Sequence, residues 1–193
     1  MINTPAPEIT ELSARDRILL TAHDLFYRDG IRATGVDKII AEAGVTKVTF
    51  YRHFPSKNDL IRAFLDYRHQ RWMNWFKEAL ARHGAQSGGG LTPLVPTLTE
   101  WFENPIYRGC AFINSVSELG TLAEVVKISK SHKQDMTEVL AELLPPSPMR
   151  EQLATAVAIA VDGAIVKAQF EAGSDKAQVL TSLELLLIAL AKV

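Results

Sequence analysis

The chain has one cysteine, Cys110, in 193 residues. A single thiol excludes an internal disulfide framework and fits a reducing cytoplasm. No apolar run approaches the ~20 residues that a membrane span needs. The start, MINTPAPEITELS, has neither a basic first stretch nor an apolar core, so no signal peptide is expected and the expected location is cytoplasmic. No segment alternates with period two, which argues against a sheet. Metal motifs are missing too: there is no His-Glu-x-x-His, no Cys-x-x-Cys and no EF-hand loop, and His23, His53, His69, His83 and His132 are scattered. GGG at 88–90 lacks the Lys-Ser/Thr that would make it a phosphate loop. Ser117 and Glu118 could be drawn with His132 and Asp135 as a hydrolase site, but no nucleophile elbow supports it. Neither an enzyme nor a cofactor is expected.

What is present is helical periodicity. Hydrophobic content of 47% is that of a globular protein. The formal net charge of −1 hides an asymmetry, with 13 Lys/Arg against 10 Asp/Glu through His83 and 8 against 12 after it. The first part is mildly basic, which suits a few cations set against phosphates. Residues 1–12, with Pro5 and Pro7, read as a flexible arm. Ser13 with Asp16 opens a helix that carries Ile18, Leu19, Ala22, Leu25 and Phe26 on one stripe and stops at Gly30. A long helix from about Ser56 to Arg82 keeps its period through Leu60, Phe64, Trp72, Phe76 and Leu80, a length of ~40 Å. HGAQSGGG (83–90) breaks it. Further helices are expected at 92–104, 110–120, 121–144, 149–172 and 175–192, with PPSP (145–148) as a stop.

The stretch between the first and the long helix carries the chemistry. Val36, Ile39, Ile40 and Ala43 recur at helical spacing, Thr34 and Asp37 have capping-box spacing at its start, and Gly44 ends it. Thr46 is placed to cap a second short helix. On that helix Phe50 and Phe54 share one face, while Val48 and Arg52 lie opposite, flanked by Thr49 and Tyr51. An aromatic face docks on the protein; the other is free to meet something else. A helix pair with a Gly turn and such a face reads as a helix-turn-helix (about 34–54) that contacts DNA. Lys47 can donate to guanine or a phosphate, Val48 and Thr49 can meet a thymine methyl, and Arg52 can do either. Tyr51, His53, Lys57 and Thr34 are candidates for phosphates. The competing reading is a helical module that binds another protein through the same face.

The run VTKVTFYRHFPSKNDLIRAF resembles the tetracycline-repressor (TetR) family signature, a Thr-x-Tyr-x-His-Phe core followed by Ser-Lys and an acidic-Leu pair. Thr49, Tyr51, His53, Phe54, Ser56, Lys57, Asp59 and Leu60 match it, and the resemblance covers roughly residues 12 to 66. It implies a dimeric, all-helical transcriptional regulator, usually a repressor, released from DNA by a small ligand.

The expected architecture is thus all-α. A three-helix DNA-binding domain at 13–66 precedes a helical ligand-binding and dimerisation domain at 67–193. The helices at 149–172 and 175–192 are apolar on most sides and rich in alanine. They can be buried in one monomer's core, or can pair with the same helices of a second copy; the second reading needs less cover from a thin lobe and is preferred. A homodimer would read a palindromic operator. A small-molecule effector would meet apolar walls and a few polar anchors, for which Trp75, Trp101, Phe102, Phe112, Asn114 and Glu118 are candidates. Those aromatics would equally serve as core. Cys110, at a helix start with Arg108 nearby, is either a buried hydrophobe, the commoner role, or a thiol sensor of electrophiles.

Overall fold

The computed structural model describes residues 12–171 and 173–192; most of the expected N-terminal arm lies outside them. Among the described residues there are nine α-helices and no strand. They are α1 (Ala14–Asp29), α2 (Val36–Glu42), α3 (Lys47–His53), α4 (Lys57–Arg82), α5 (Leu94–Phe102), α6 (Ala111–Leu119), α7 (Ala123–Leu143), α8 (Arg150–Ala168) and α9 (Ser174–Leu190). No helix among the described residues is long and apolar enough to cross a membrane.

The chain forms two compact units, and they are not consecutive. One comprises the chain through Trp72 together with Ala111–Lys130; the other comprises Met73–Cys110 and the chain from Ser131 onward. The boundary therefore differs from the expected division at residue 66. α6 and the start of α7 join the first unit, while α4 and α7 each begin in one unit and end in the other.

In the first unit the α1 stripe is buried as its spacing requires: Ile18, Leu19, Ala22, Leu25 and Phe26 are all in the core. Phe26 meets Phe64 of α4 edge-on with ring centroids 5.4 Å apart. Ser13 caps α1, accepting from the Asp16 amide at 3.2 Å and donating to the Asp16 carboxylate. Ser56 and Asp59 repeat this at α4. The third expected cap does not form. Gly35, not Thr34, stands at the N-cap of α2, with no side-chain hydrogen bond, because the Thr34 hydroxyl donates backward to the Gly30 carbonyl at 2.7 Å.

In the second unit Trp75, Trp101, Phe102 and Tyr107 stack on one another, the Trp75–Trp101 centroids lying 6.0 Å apart and the Phe102–Tyr107 centroids 5.1 Å. Tyr107 donates its hydroxyl to the Ile165 carbonyl at 2.7 Å, which ties this cluster to α8. Pro96 does not delay α5: it falls in the first turn, where an amide would have had no helical partner. α8 ends at Ala168, earlier than its composition suggests. At its C-cap the Gln169 side-chain Nε2 donates to the Arg108 carbonyl at 2.8 Å, while the Gln169 backbone N–H still bonds the Val166 carbonyl.

Candidate nucleic-acid interface

α2 and α3 have seven residues each, too few to be stable alone. Their neighbours fix them. Ile39 and Ala43 of the α2 stripe are buried, and Val36 and Ile40 are half-buried. Gly44 takes φ +62, the left-handed region where a Cβ costs energy, and turns the chain toward α3. Arg17 of α1 donates to the Ala43 carbonyl at 3.2 Å and so satisfies the end of α2 from outside. Thr46 caps α3 through the Thr49 amide at 3.2 Å. Phe50 is 0% exposed and Phe54 3%. These two rings are the anchor of α3, and Arg15 lies over the Phe54 ring at 5.3 Å.

With Phe50 inward, geometry fixes what points outward. At about 100° per residue Val48 and Arg52 are turned nearly opposite to Phe50. Val48 is 79% exposed, and Lys47, Tyr51 and Arg52 are exposed beside it. An exposed valine amid cations is a poor solvent face and a fair thymine-methyl contact. Lys47 stands 3.8 Å from Asp37, whose side chain is 88% exposed. Surface pairs of this kind contribute about 0–1 kcal/mol, so the ammonium can exchange this partner for a base or phosphate at little cost. Thr49 is half-buried, its hydroxyl 2.9 Å from that of Thr46. His53, about 60° from Phe50 around the helix, is half-buried on the flank.

Two residues expected at phosphates are engaged within the fold. Thr34 is wholly buried, with its hydroxyl on the Gly30 carbonyl. Lys57 donates its ammonium to the Ile31 carbonyl at 2.6 Å. Desolvation by burial pushes the Lys57 pKa down, opposed by the Glu118 carboxylate. Of the expected effector residues, Trp75, Trp101 and Phe102 are buried together in the second unit. Phe112, Asn114 and Glu118 belong to the first unit, Phe112 buried and the other two half-buried. Both Glu118 oxygens accept backbone amides, from Ile31 at 3.2 Å and Arg32 at 2.7 Å. Nothing in the local sequence signals this contact across 86 residues. Arg17, which closes α2, was also outside the sequence reading, since a basic residue on α1 carries no mark of the carbonyl it will meet. Cys110 is buried just before α6.

Two cations near this face are occupied by acids. Asp29 holds both Arg28 at 2.8 Å and Lys38 at 2.9 Å, and these bonds keep its carboxyl far below the usual range. Among the described residues no group of three or more His, Cys, Asp or Glu could hold a metal.

A tri-helical unit whose buried aromatic pair turns Lys47, Val48, Tyr51 and Arg52 outward belongs to the class of helix-turn-helix DNA-binding regulators. Residues 18–64 match the family model described as bacterial regulatory proteins, tetR family. Over 92% of its length the chain matches a TetR-family transcriptional regulator from Streptomyces coelicolor, covering 96% of that chain with TM-score 0.80 and 29% identity. A putative tetR transcriptional regulator from Streptomyces avermitilis matches 92% of this chain, covering 98% of its own, with TM-score 0.74 and 25% identity. The Staphylococcus aureus regulator QacR is 30% identical over 70 residues, which are 36% of this chain and 37% of QacR. An uncharacterised helix-turn-helix regulator from Lactococcus lactis is 25% identical over 113 residues, 58% of each chain. The chain therefore spans well under two thirds of these curated relatives. Residues 18–64 thus match the DNA-binding part of the TetR family, and over 92% of its length the chain has the fold of a TetR-family transcriptional regulator.

Proposed function

We propose that the protein is a homodimeric transcriptional repressor that reads a palindromic operator through α3 and leaves it when a small ligand binds. The single observation behind the reading is the division of α3: Phe50 is fully buried while Val48 on the opposite side is the most exposed residue of the helix among its large apolar ones. Lys47, Val48 and Thr49 read base edges. Tyr51, Arg52 and His53 flank them and hold phosphates, which position without specifying.

The second copy would sit on α8 and α9. These helices bury one apolar face inside their own unit through Val157, Val161, Ile165, Val179, Leu183 and Leu187. A second apolar set, Ile159, Leu185, Leu186 and Ile188, is exposed. An open groove of about 710 Å³ runs between them, floored by Gly163 and Ala164 and edged by Lys167, Glu171 and Asp175. Exposed apolar area of this extent is atypical of a monomer, and small residues permit close helix approach. The effector is proposed to enter the second unit beside Trp75 and Trp101. The Thr97 hydroxyl, fully buried one turn before Trp101, makes no hydrogen bond among the described residues and offers a polar handle. The Mycolicibacterium smegmatis protein FasR, 35% identical over 66 residues that are 30% of its length, is described as an activator.

Selection of genomic fragments by the purified protein, followed by sequencing, tests the reading. It predicts recovery of a shared inverted repeat with half-sites about one DNA turn apart, ~34 Å. Fragments without a common motif would contradict DNA reading and favour a protein-binding role for the same face.

A further inference from the structure

α2 begins without a side-chain cap and is too short to place itself, so the peptide before it must be fixed from elsewhere. That peptide is held at three points. Thr34 bonds the Gly30 carbonyl, Lys57 bonds the Ile31 carbonyl, and Glu118 takes the amides of Ile31 and Arg32. The first two come from residues adjoining the helix-turn-helix. The third comes from α6, 86 residues later.

The Glu118 contact is close and specific in form. One carboxylate spans two successive amides with one oxygen on each, a charge-assisted pair stronger than neutral bonds. Gly30 stands against it with φ +92, and a Cβ there would lie 3.3 Å from the Glu118 carboxylate. The Ile31 peptide is thus gripped on one side by a carboxylate and on the other by the Lys57 ammonium. Bonds of 2.7 and 3.2 Å fail with a displacement of about 1 Å.

We infer that Glu118 is a positioning residue for DNA reading: α6, through its carboxylate, sets the entry to α2 and with it the pose of α3. The inference rests on the proposed DNA-reading role of α3. It also gives α6 a means of altering that role, since a small shift of this helix releases both amides at once. Glu118 then serves DNA reading without touching the DNA.

The test compares wild type, Glu118→Ala and Glu118→Gln in three measurements: affinity for the duplex recovered by genomic selection, amide hydrogen exchange at Ile31 and Arg32, and thermal melting. The expected result for Glu118→Ala is exchange at those two amides faster by about tenfold or more, with the rest of α1–α3 unchanged. Affinity for the selected duplex should fall about tenfold while the melting temperature stays within a few degrees. Glu118→Gln, whose carbonyl oxygen can accept one of the two bonds, should fall between. Affinity within about twofold of wild type for Glu118→Ala, despite faster exchange, overturns the inference, as does unchanged exchange. So does a global loss of melting in Glu118→Ala with wild-type binding by Glu118→Gln. If wild type itself recovers no duplex, it is the DNA-reading proposal that fails, while the exchange data still decide whether Glu118 holds the turn.

Discussion

α3 and the α8–α9 pair both expose apolar side chains, and they do so in opposite ways. α3 shows one, Val48, amid Lys47, Tyr51 and Arg52, on a helix held by two buried phenylalanines. α8 and α9 show several in a block, and bury a second apolar face beneath. A single methyl-bearing residue among donors suits a polar partner with local apolar spots, as a DNA groove is. A broad apolar block suits another protein surface of the same kind. The contrast assigns the two surfaces different partners, and it can be broken in graded steps.

The largest effect should come from removing the anchor of α3. Phe50→Ala deletes a fully buried ring and should cost about 3–5 kcal/mol, lowering the denaturation midpoint and abolishing binding to any duplex. Next is the apolar block. Leu186→Arg or Ile159→Arg, both at exposed positions, should convert a dimer to monomers in sedimentation without lowering monomer stability by more than about 0.5 kcal/mol. A dimer that survives both places the interface elsewhere. Leu187 is a poor probe for this purpose, since it is buried in its own unit and a charge there would attack the monomer itself.

The two units should also part in acid. His23 is buried, and desolvation lowers its pKa below the usual 6.5, helped by Arg68 and Arg71 and opposed by Asp24. Its Nε2 accepts from Arg68 at 3.3 Å, which leaves Nδ1 to donate to Asp24 at 2.8 Å, the arrangement of a neutral ring. Because the unfolded chain protonates first, this contribution is present above pH 6.5 and is lost as pH falls below it. Glu100 in the second unit behaves differently. Burial alone would raise its pKa, but hydrogen bonds from Arg82 and Trp75 hold it down to about 2. Its contribution persists to about pH 4.5 and fades toward pH 2, and partial exposure keeps it under about 1 kcal/mol. Melting followed from pH 7 to pH 5.5 should therefore drop in wild type and flatten in His23→Gln, with Glu100→Gln indifferent in that window.

The smallest effect separates two residues that the sequence treats alike. Tyr51→Phe should weaken binding to all duplexes about equally, as loss of a phosphate contact does. Lys57→Ala should leave the salt dependence of binding unchanged and instead cost stability of about 1 kcal/mol, because its ammonium is bonded to Ile31. A salt slope reduced by about one unit in Lys57→Ala would return the lysine to the DNA.

These assignments show how far residue patterns reach. Helix positions were legible to within a few residues, because the stripes of α1 and α3 and the stops at Gly30, Gly44 and 145–148 are local facts of spacing. The outward face of α3 followed from Phe50 and Phe54 by the same reasoning. The Thr34 cap was not formed because capping spacing says nothing of which carbonyl a hydroxyl will find, and Gly30 lay within reach behind it. The bond from Lys57 to the Ile31 carbonyl was not legible either, because a lysine beside a short helix carries no mark of the carbonyl beneath it. Glu118 and the membership of α6 in the first unit had no sequence signal at all. Periodicity tells which side of a helix is buried, never against which distant helix.

The most direct measurement is the affinity of Val48→Ala for the selected duplex and for a scrambled one at the same salt concentration. Direct base reading by the outward face of α3 predicts a loss of about 1–3 kcal/mol on the selected duplex and none on the scrambled one. Equal affinities on both, before and after substitution, would contradict it.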